Sequence, residues 1–344
     1  MTNNDSKELK EFKIKLQEKI EASDQVFIVT HKNPDLDAIG SAIGISLIAK
    51  KLKKNSYIIM DDKIEAINTG VLTVMDAISN DYQTITNNIF NEVKTENNLL
   101  IVTDTNKTNC VCCEDYLDEF KSIIIIDHHN QDTKTIKTIN KFIKPQLSST
   151  CEIVATLLDM LKINYSSDIA NYLLAGITLD TNQLRSPTVS EHTLKIAAKL
   201  IGKGANINYS NELLDETFET DIRVHDLIKE TDFYNYSIAI CKGKNEDVFT
   251  GEELAKAANY TLKFKPDIVC IIGRTDDNTI SISSRSNGKI NVSKVMELFG
   301  GGGDNFRGAA KIEGSSTDEV EKKLIKVLKP KFYISNRELK NEES

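Results

Sequence analysis

Runs of consecutive apolar residues recur through the first half of the chain: Gln25 to Thr30 (QVFIVT), Ser56 to Met60 (SYIIM), Asn98 to Thr103 (NLLIVT) and Lys121 to Ile126 (KSIIII). They do not alternate with polar residues, which is the pattern of strands covered on both faces of a parallel sheet. Ala38 to Leu52 instead spaces Ile39, Ile43, Leu47 and Ile48 along one face of a helix. Thr150 can cap a second helix with apolar positions Ile153, Val154, Leu157, Leu158 and Leu161. Tyr172 to Asp180 is apolar nearly all round and predicts a buried helix. Glu191 to Ile201 predicts another, stopped by Gly202 and Gly204. Strands punctuated by helices predict an α/β domain with right-handed crossovers.

Around Glu212 to Asp232 the texture becomes charged and mostly helical, which predicts a linker over 212–235. Beyond it, Tyr236 to Cys241, Ile268 to Gly273 and Thr279 to Ser284 predict strands, and Glu252 to Ala258 and Val292 to Leu298 predict helices. The expected architecture is therefore an N-terminal parallel-sheet domain over 13–211 and a smaller α/β domain over 236–331. Residues 1–12 and 332–344 read as solvated tails. A length of 344 residues suits two or three domains.

Composition narrows the partners. Lys and Arg total 43 against 51 Asp and Glu, a formal net charge of −8. Wrapping duplex DNA draws its affinity from many phosphate neutralisations, so an acidic chain argues against that function. A small phosphorylated ligand held by a few local cations is compatible. No stretch approaches the ~20 apolar residues of a membrane span, and Met1 to Lys10 has no apolar core of a signal sequence. The expectation is a soluble, cytoplasmic protein without a membrane partner. Six cysteines are too few for a disulfide scaffold. Cys110, Cys112 and Cys113 are spaced C-x-C-C without a second pair, so no zinc or redox site is expected there.

Three of the apolar runs end in the same kind of residue. QVFIVT leads into His31, with Asp35 and Asp37 just after it; NLLIVT leads into Asp104; KSIIII leads into Asp127, His128 and His129. In open α/β sheets the carboxyl ends of the strands line one crevice, where ligands bind. A fourth carboxylate, Asp180, ends the buried helix. Carboxylates gathered this way repel unless protonated or neutralised by cations. Mixed imidazole and carboxylate ligands suit Mn²⁺, Fe²⁺, Co²⁺ or Zn²⁺. Two such ions ~3.5–4 Å apart can ready water and stabilise both oxygens of a phosphoryl displacement. Taken singly, an Asp after a strand is ordinarily a helix cap; four such sites together are harder to explain that way.

H-K-N-P-D-L-D-A-I-G-S at 31–41, V-T-D at 102–104, D-H-H at 127–129 and L-D-T at 179–181 resemble the ligand motifs of the Asp-His-His (DHH) phosphoesterase superfamily. The resemblance implies a second, DHH-associated domain that closes over the metal site and binds substrate. It further implies that His31 and Asp35 bind one Mn²⁺ and Asp37 the other, with Asp104 bridging and His128 and Asp180 completing the second site. His129 would orient a ligand or protonate the leaving oxygen, and Asp127 would support the histidines. Successive glycines let backbone N–H groups approach a phosphate, so Gly301, Gly302 and Gly303 are candidate substrate contacts, together with Ser284, Arg285, Asp304 and Asn305. Arg307 and Arg185 are weaker candidates. The family's usual His after the glycines is Asp304 here, and a carboxylate facing a phosphate is unfavourable by ~1 kcal/mol or more. Either Asp304 turns away, leaving the contact to Asn305 or Arg307, or substrate binds differently.

Within the superfamily the pattern is most similar to bacterial cyclic di-AMP phosphodiesterases, commonly fused to membrane and sensory domains, and implies hydrolysis to 5′-pApA by a stand-alone catalytic form. A short-oligoribonucleotide exonuclease that also dephosphorylates adenosine 3′,5′-bisphosphate is the first alternative. A manganese pyrophosphatase and a silent nucleotide-binding regulator rank lower. The implied partner is a cyclic dinucleotide or short RNA. Oligomeric state is open, with a homodimer as one expectation.

Overall fold

Each apolar run of the first half becomes a strand whose successive side chains enter opposite hydrophobic layers. Val26 and Ile28 pack with the helices on one face; Phe27 and Val29 pack with Phe90, Leu100 and Phe120 on the other. A strand buried on both faces needs no polar positions. The computed structural model describes residues 1–61, 69–215 and 218–328. The chain divides into two units, Met1–Asp215 and Glu216–Ser344.

In chain order the first unit contains α1 (Asn3–Ala22), β1 (Gln25–Val29), α2 (Leu36–Lys51), β2 (Asn55–Met60), α3 (Thr69–Ile78), β3 (Gln83–Thr86), α4 (Asn87–Val93) and β4 (Asn98–Thr103), then β5 (Ser122–Asp127), β6 (Lys141–Ile143), α5 (Thr150–Met160), α6 (Ser167–Asp180), α7 (Glu191–Gly202) and α8 (Ile207–Glu212). Its sheet runs β3-β2-β1-β4-β5-β6, parallel throughout. The order reverses between β1 and β4, the switch point beyond which ligands sit in such sheets. On one face α2 packs against α6 and α5. Gly176 permits this: a Cβ there would lie 2.8 Å from the Asp37 Cα and 2.6 Å from the Cys151 Sγ.

The second unit contains α9 (Phe218–Ile228), β7 (Thr231–Tyr234), β8 (Ile238–Lys242), α10 (Gly251–Leu262), β9 (Ile268–Arg274), β10 (Thr279–Ser286), α11 (Val292–Glu297), β11 (Gly302–Gly303) and β12 (Arg307–Glu313), followed by helical residues 317–328. Its sheet is ordered β11-β12-β10-β9-β8-β7. β8 and β9 run parallel and the other neighbours antiparallel.

Two expectations are corrected. Residues 1–12 are not a solvated tail: Leu9, Phe12, Leu16 and Ile20 form a buried stripe along α1. Charged residues between those positions hide the stripe, and Thr2 with Asp5 closes a capping box that starts the helix. The linker expected over 212–235 is built into the second unit from Phe218 onward. Val224 and Leu227 of α9 pack on Val269 and Ile271, and β7 pairs with β8. The expected tail 332–344 lies outside the described residues. Among the described residues no helix is long and apolar enough to cross a membrane.

Candidate metal centre

β1 delivers His31 to the sheet's carboxyl edge, where its Nε2 lies 3.5 Å from Oδ2 of Asp104 and 3.9 Å from Oδ1 of Asp35. Asp35 is also the N-cap of α2: its Oδ1 accepts from the N–H groups of Asp37 (2.9 Å) and Ala38 (3.0 Å). Asp37, fully buried in the next turn, is held from outside its own helix. Its Oδ2 accepts from the Thr150 N–H and its Oδ1 from the Cys151 N–H, both at 2.7 Å. The first turn of α5 thus directs its otherwise unpaired N–H groups at a carboxylate.

Asp104 follows β4 in the left-handed conformation, φ 61°. Non-glycine residues seldom adopt it, and such strain clusters where geometry is functional. Its N–H donates to the Ile126 carbonyl (3.1 Å), and its Oδ1 accepts from the Thr150 hydroxyl (3.0 Å). β5 delivers the histidines. The His128 Nε2 lies 2.7 Å from Oδ2 of Asp180, 3.6 Å from Oδ1 of Asp104 and 3.8 Å from Oδ2 of Asp37. Asp127 takes no part in this convergence. Its Oδ1 accepts from the backbone N–H groups of His128 (2.8 Å) and His129 (3.1 Å) and pairs with the His129 Nδ1 (2.9 Å). Its Oδ2 accepts from Asn106 at 2.6 Å.

These side chains form three overlapping donor sets, each with atoms within 4.8 Å of one another: His31, Asp35 and Asp104; Asp37, His128 and Asp180; Asp104, His128 and His129. Cys110, Cys112 and Cys113 form no disulfide and belong to none of these sets.

The electrostatics are those of an uncompensated cluster. Burial first, and the Asp104 charge second, raise Asp35 to about 6. The same causes, with Asp180 and Asp35 added, push Asp37 well above the usual carboxylate range. Burial opposes charge on His129, but its hydrogen bond to Asp127 and the surrounding carboxylates prevail and raise it to about 9. Burial likewise opposes ionisation of Asp127, yet the bond from His129 and both imidazoles hold it below its ordinary value. The donors suit cations in another respect. Although 2.7 Å from Asp180, the buried His128 Nε2 makes no aligned hydrogen bond. Its ring and the carboxylates of Asp37 and Asp180 offer ligand atoms within 4.8 Å of one another, and imidazole–carboxylate sets of this kind fit divalent transition metals.

In the second unit, Arg285 on β10 and Arg307 on β12 stand directly opposite in antiparallel register, and so on one face. The Arg285 Nε donates to Asn259 (2.8 Å) and its Nη1 to the Ser284 carbonyl (2.9 Å). Ser284 itself is fully buried, and its hydroxyl donates to the Val269 carbonyl at 2.7 Å, which turns it from any ligand. The carboxylate of Asp304 closes its own turn: Oδ1 accepts from Phe306 (2.6 Å) and Arg307 (2.9 Å) N–H groups, while Oδ2 lies 3.4 Å from the Arg307 Nε. The glycines lead into and form β11, just before the Asp304 to Phe306 turn that joins it to β12. Gly303 has φ 152°, and a Cβ at Gly301 would lie 2.1 Å from the Ala309 carbonyl oxygen. Asn305 donates to the Gly288 carbonyl at 3.4 Å.

Residues 25–177 match the N-terminal domain of the DHH family, and residues 234–330 match the DHHA1 domain. The chain carries a DHH domain followed by a DHHA1 domain. The DHH match includes His31 through His129; Asp180 lies just beyond its end. The chain is 31% identical to the cyclic-di-AMP phosphodiesterase PdeA of Listeria monocytogenes over 327 residues, 91% of this chain and 48% of PdeA. It therefore spans about half the length of that relative. It is 27% identical to the bifunctional oligoribonuclease and PAP phosphatase NrnA of Mycoplasma genitalium, across 83% of this chain and 88% of NrnA. An exopolyphosphatase-related protein of Bacteroides fragilis shares the fold, with a TM-score of 0.77, 20% identity and coverage of 93% and 97% of the two chains.

Sequence reading missed the support of this DHH site. Thr150, expected as a cap, is the first residue of α5 and donates to Asp104; the cap is Ser149. The polar run Ser148-Ser149-Thr150 before an apolar helix was the available signal.

Proposed function

We propose that this chain is a metal-dependent phosphodiesterase that hydrolyses cyclic di-AMP to 5′-pApA. The observation that carries the reading is the overlap of the donor sets, two of which share Asp104 and two of which share His128, in a chain 31% identical to PdeA. His31 and Asp35 would hold one Mn²⁺, Asp37, His128 and Asp180 the other, and Asp104 both. Two ions so held would activate water and offset the phosphodiester's charge. Asp127 fixes the His129 Nδ1, which leaves Nε2 as the atom to protonate the departing 3′-oxygen. Neutralising the charge of Asp104 would lower His129 from about 9 toward the range where an acid catalyst works best. In the second unit, Arg285 and Arg307 are the proposed phosphate contacts, with the backbone of Gly301 to Gly303 and with Asn305 beside them. Asp304 serves by holding Arg307 rather than by touching substrate.

A second reading, cleavage of short linear RNA and of adenosine 3′,5′-bisphosphate, is favoured by one observation. The chain is 27% identical to NrnA, named an oligoribonuclease and PAP phosphatase, across 83% of this chain. Rates with Mn²⁺ on cyclic di-AMP, pApA, adenosine 3′,5′-bisphosphate and pyrophosphate separate the readings. The proposal expects the cyclic substrate to be consumed fastest; faster loss of pApA would establish the second reading, and binding without turnover would defeat both.

A further inference from the structure

The donor sets do not account for every buried carboxylate of the first unit. Glu152, in the first turn of α5, is fully buried. A carboxylate is costly to bury unless its oxygens are hydrogen-bonded. A Glu three residues after the N-cap would ordinarily reach back to the cap's own N–H. Glu152 goes further. Its Oε2 accepts from the Ser148 N–H (3.0 Å), from the Ser148 hydroxyl, and from the Thr193 hydroxyl in α7 (3.1 Å). Its Oε1 has no hydrogen-bond partner and lies 3.9 Å from the His192 Nε2, itself 3.0 Å from the Thr156 hydroxyl.

That pattern ties α7 to the segment just before α5. The same short segment presents the Thr150 and Cys151 N–H groups to Asp37 and the Thr150 hydroxyl to Asp104. A shift of Ser148 and Ser149 would therefore be felt at two carboxylates of the donor sets at once. Asp180 is joined to the other end of the strut through the residues that lead from α6 into α7. They turn sharply: Asn182, Gln183 and Leu184 are all left-handed, with φ of 47°, 57° and 63°.

We infer that Glu152 is a positioning residue: anchored by Thr193, it fixes the first turn of α5 so that Asp37 and Asp104 hold the geometry a pair of cations requires. The inference rests on the metal-centre reading above. Groups that orient metal ligands typically alter affinity on the order of tenfold or more when removed.

The test uses the full chain and two readouts: amide hydrogen exchange of the metal-free protein, and Mn²⁺ affinity by calorimetry. In Glu152→Ala and in the milder Thr193→Val, the Thr150 and Cys151 amides are expected to exchange at least tenfold faster while Leu100 and Ile101 in β4 stay unchanged. Mn²⁺ should bind about tenfold more weakly. Glu152→Gln, whose carbonyl oxygen can still accept from the Ser148 N–H and the Thr193 hydroxyl, should restore both. If Glu152→Ala does not fold, Thr193→Val with Glu152→Gln carries the test. Unchanged amides, or faster amides with undiminished Mn²⁺ affinity, would overturn the inference. A parent chain that binds no Mn²⁺ but whose variants release these amides would defeat the metal-centre reading and leave the strut standing.

Discussion

Replacing Gly176 by Ala should disable the donor sets without touching any of them. In an open helical position this change stabilises by up to ~1 kcal/mol through helix propensity. Here the added methyl would lie 2.6 Å from the Cys151 Sγ, 2.8 Å from the Asp37 Cα and 3.0 Å from the Asp37 Oδ1. The first neighbour is a buried thiol and the second is backbone, so neither can swing aside. α6 must move off α2 and α5. Overpacking of this kind costs ~1–3 kcal/mol, and a backbone clash belongs at the upper end. After subtracting the propensity gain, a net loss of ~1–2 kcal/mol is expected, a drop in Tm of roughly 2–8 °C at this chain length. Because α6 ends in Asp180 and the clash falls on Asp37, the Mn²⁺ affinity should fall with it. Gly202→Ala, where nothing lies within 4 Å of the new methyl, is the control; it should leave Tm unchanged or raise it slightly. Calorimetric melting and Mn²⁺ titration of both variants make the comparison. A Gly176→Ala protein with parental Tm and parental Mn²⁺ affinity would refute the argument that helix contact sets the position of Asp37.

Further outcomes follow from the charges. In chelator-treated protein, stability should fall as pH rises from about 4 to about 6. Asp35 titrates near 6 folded against 3.8 unfolded, so the folded state holds more protons in that window and loses ground as they leave. At full strength the effect is ~3 kcal/mol; with 41% of the Asp35 side chain open to solvent, screening reduces it to ~1 kcal/mol. Melting curves across that range check the sign, and added Mn²⁺ should abolish the slope. Asp127→Asn should lower His129 from about 9, visible by NMR titration, and reduce kcat by at least ~100-fold if His129 is the proton donor. Arg307→Ala should raise KM about tenfold or more, the worth of one charge-assisted hydrogen bond, with kcat largely retained; an unchanged KM would remove Arg307 from the phosphate contacts.

What could be read in the sequence was what the strands themselves encode. QVFIVT, NLLIVT and KSIIII are apolar throughout because both sheet faces are covered, and the residue after each run had to emerge at one edge. His31, Asp104, Asp127 and His128 were therefore placeable without coordinates. α1 was not legible because its apolar stripe is four residues wide among lysines and glutamates, and α9 and β7 looked like a linker for the same reason. The hydrogen bonds that fix Asp37 come from the backbone of Thr150 and Cys151, and a backbone N–H leaves no mark in a sequence. Asp304 looked hostile to a phosphate because its turn, where it accepts from Phe306 and Arg307, exists only once β11 and β12 have paired.

The central claim is that Asp104 is shared between two cations. Electron paramagnetic resonance of the Mn²⁺-loaded chain, with bound metal counted in the same sample, addresses it most directly. The account predicts two Mn²⁺ per chain with the spectrum of an exchange-coupled pair, as ions ~3.5–4 Å apart give, and loss of that coupling together with turnover in Asp104→Ala. A single bound ion, or two ions with no coupling in the parent chain, would contradict it.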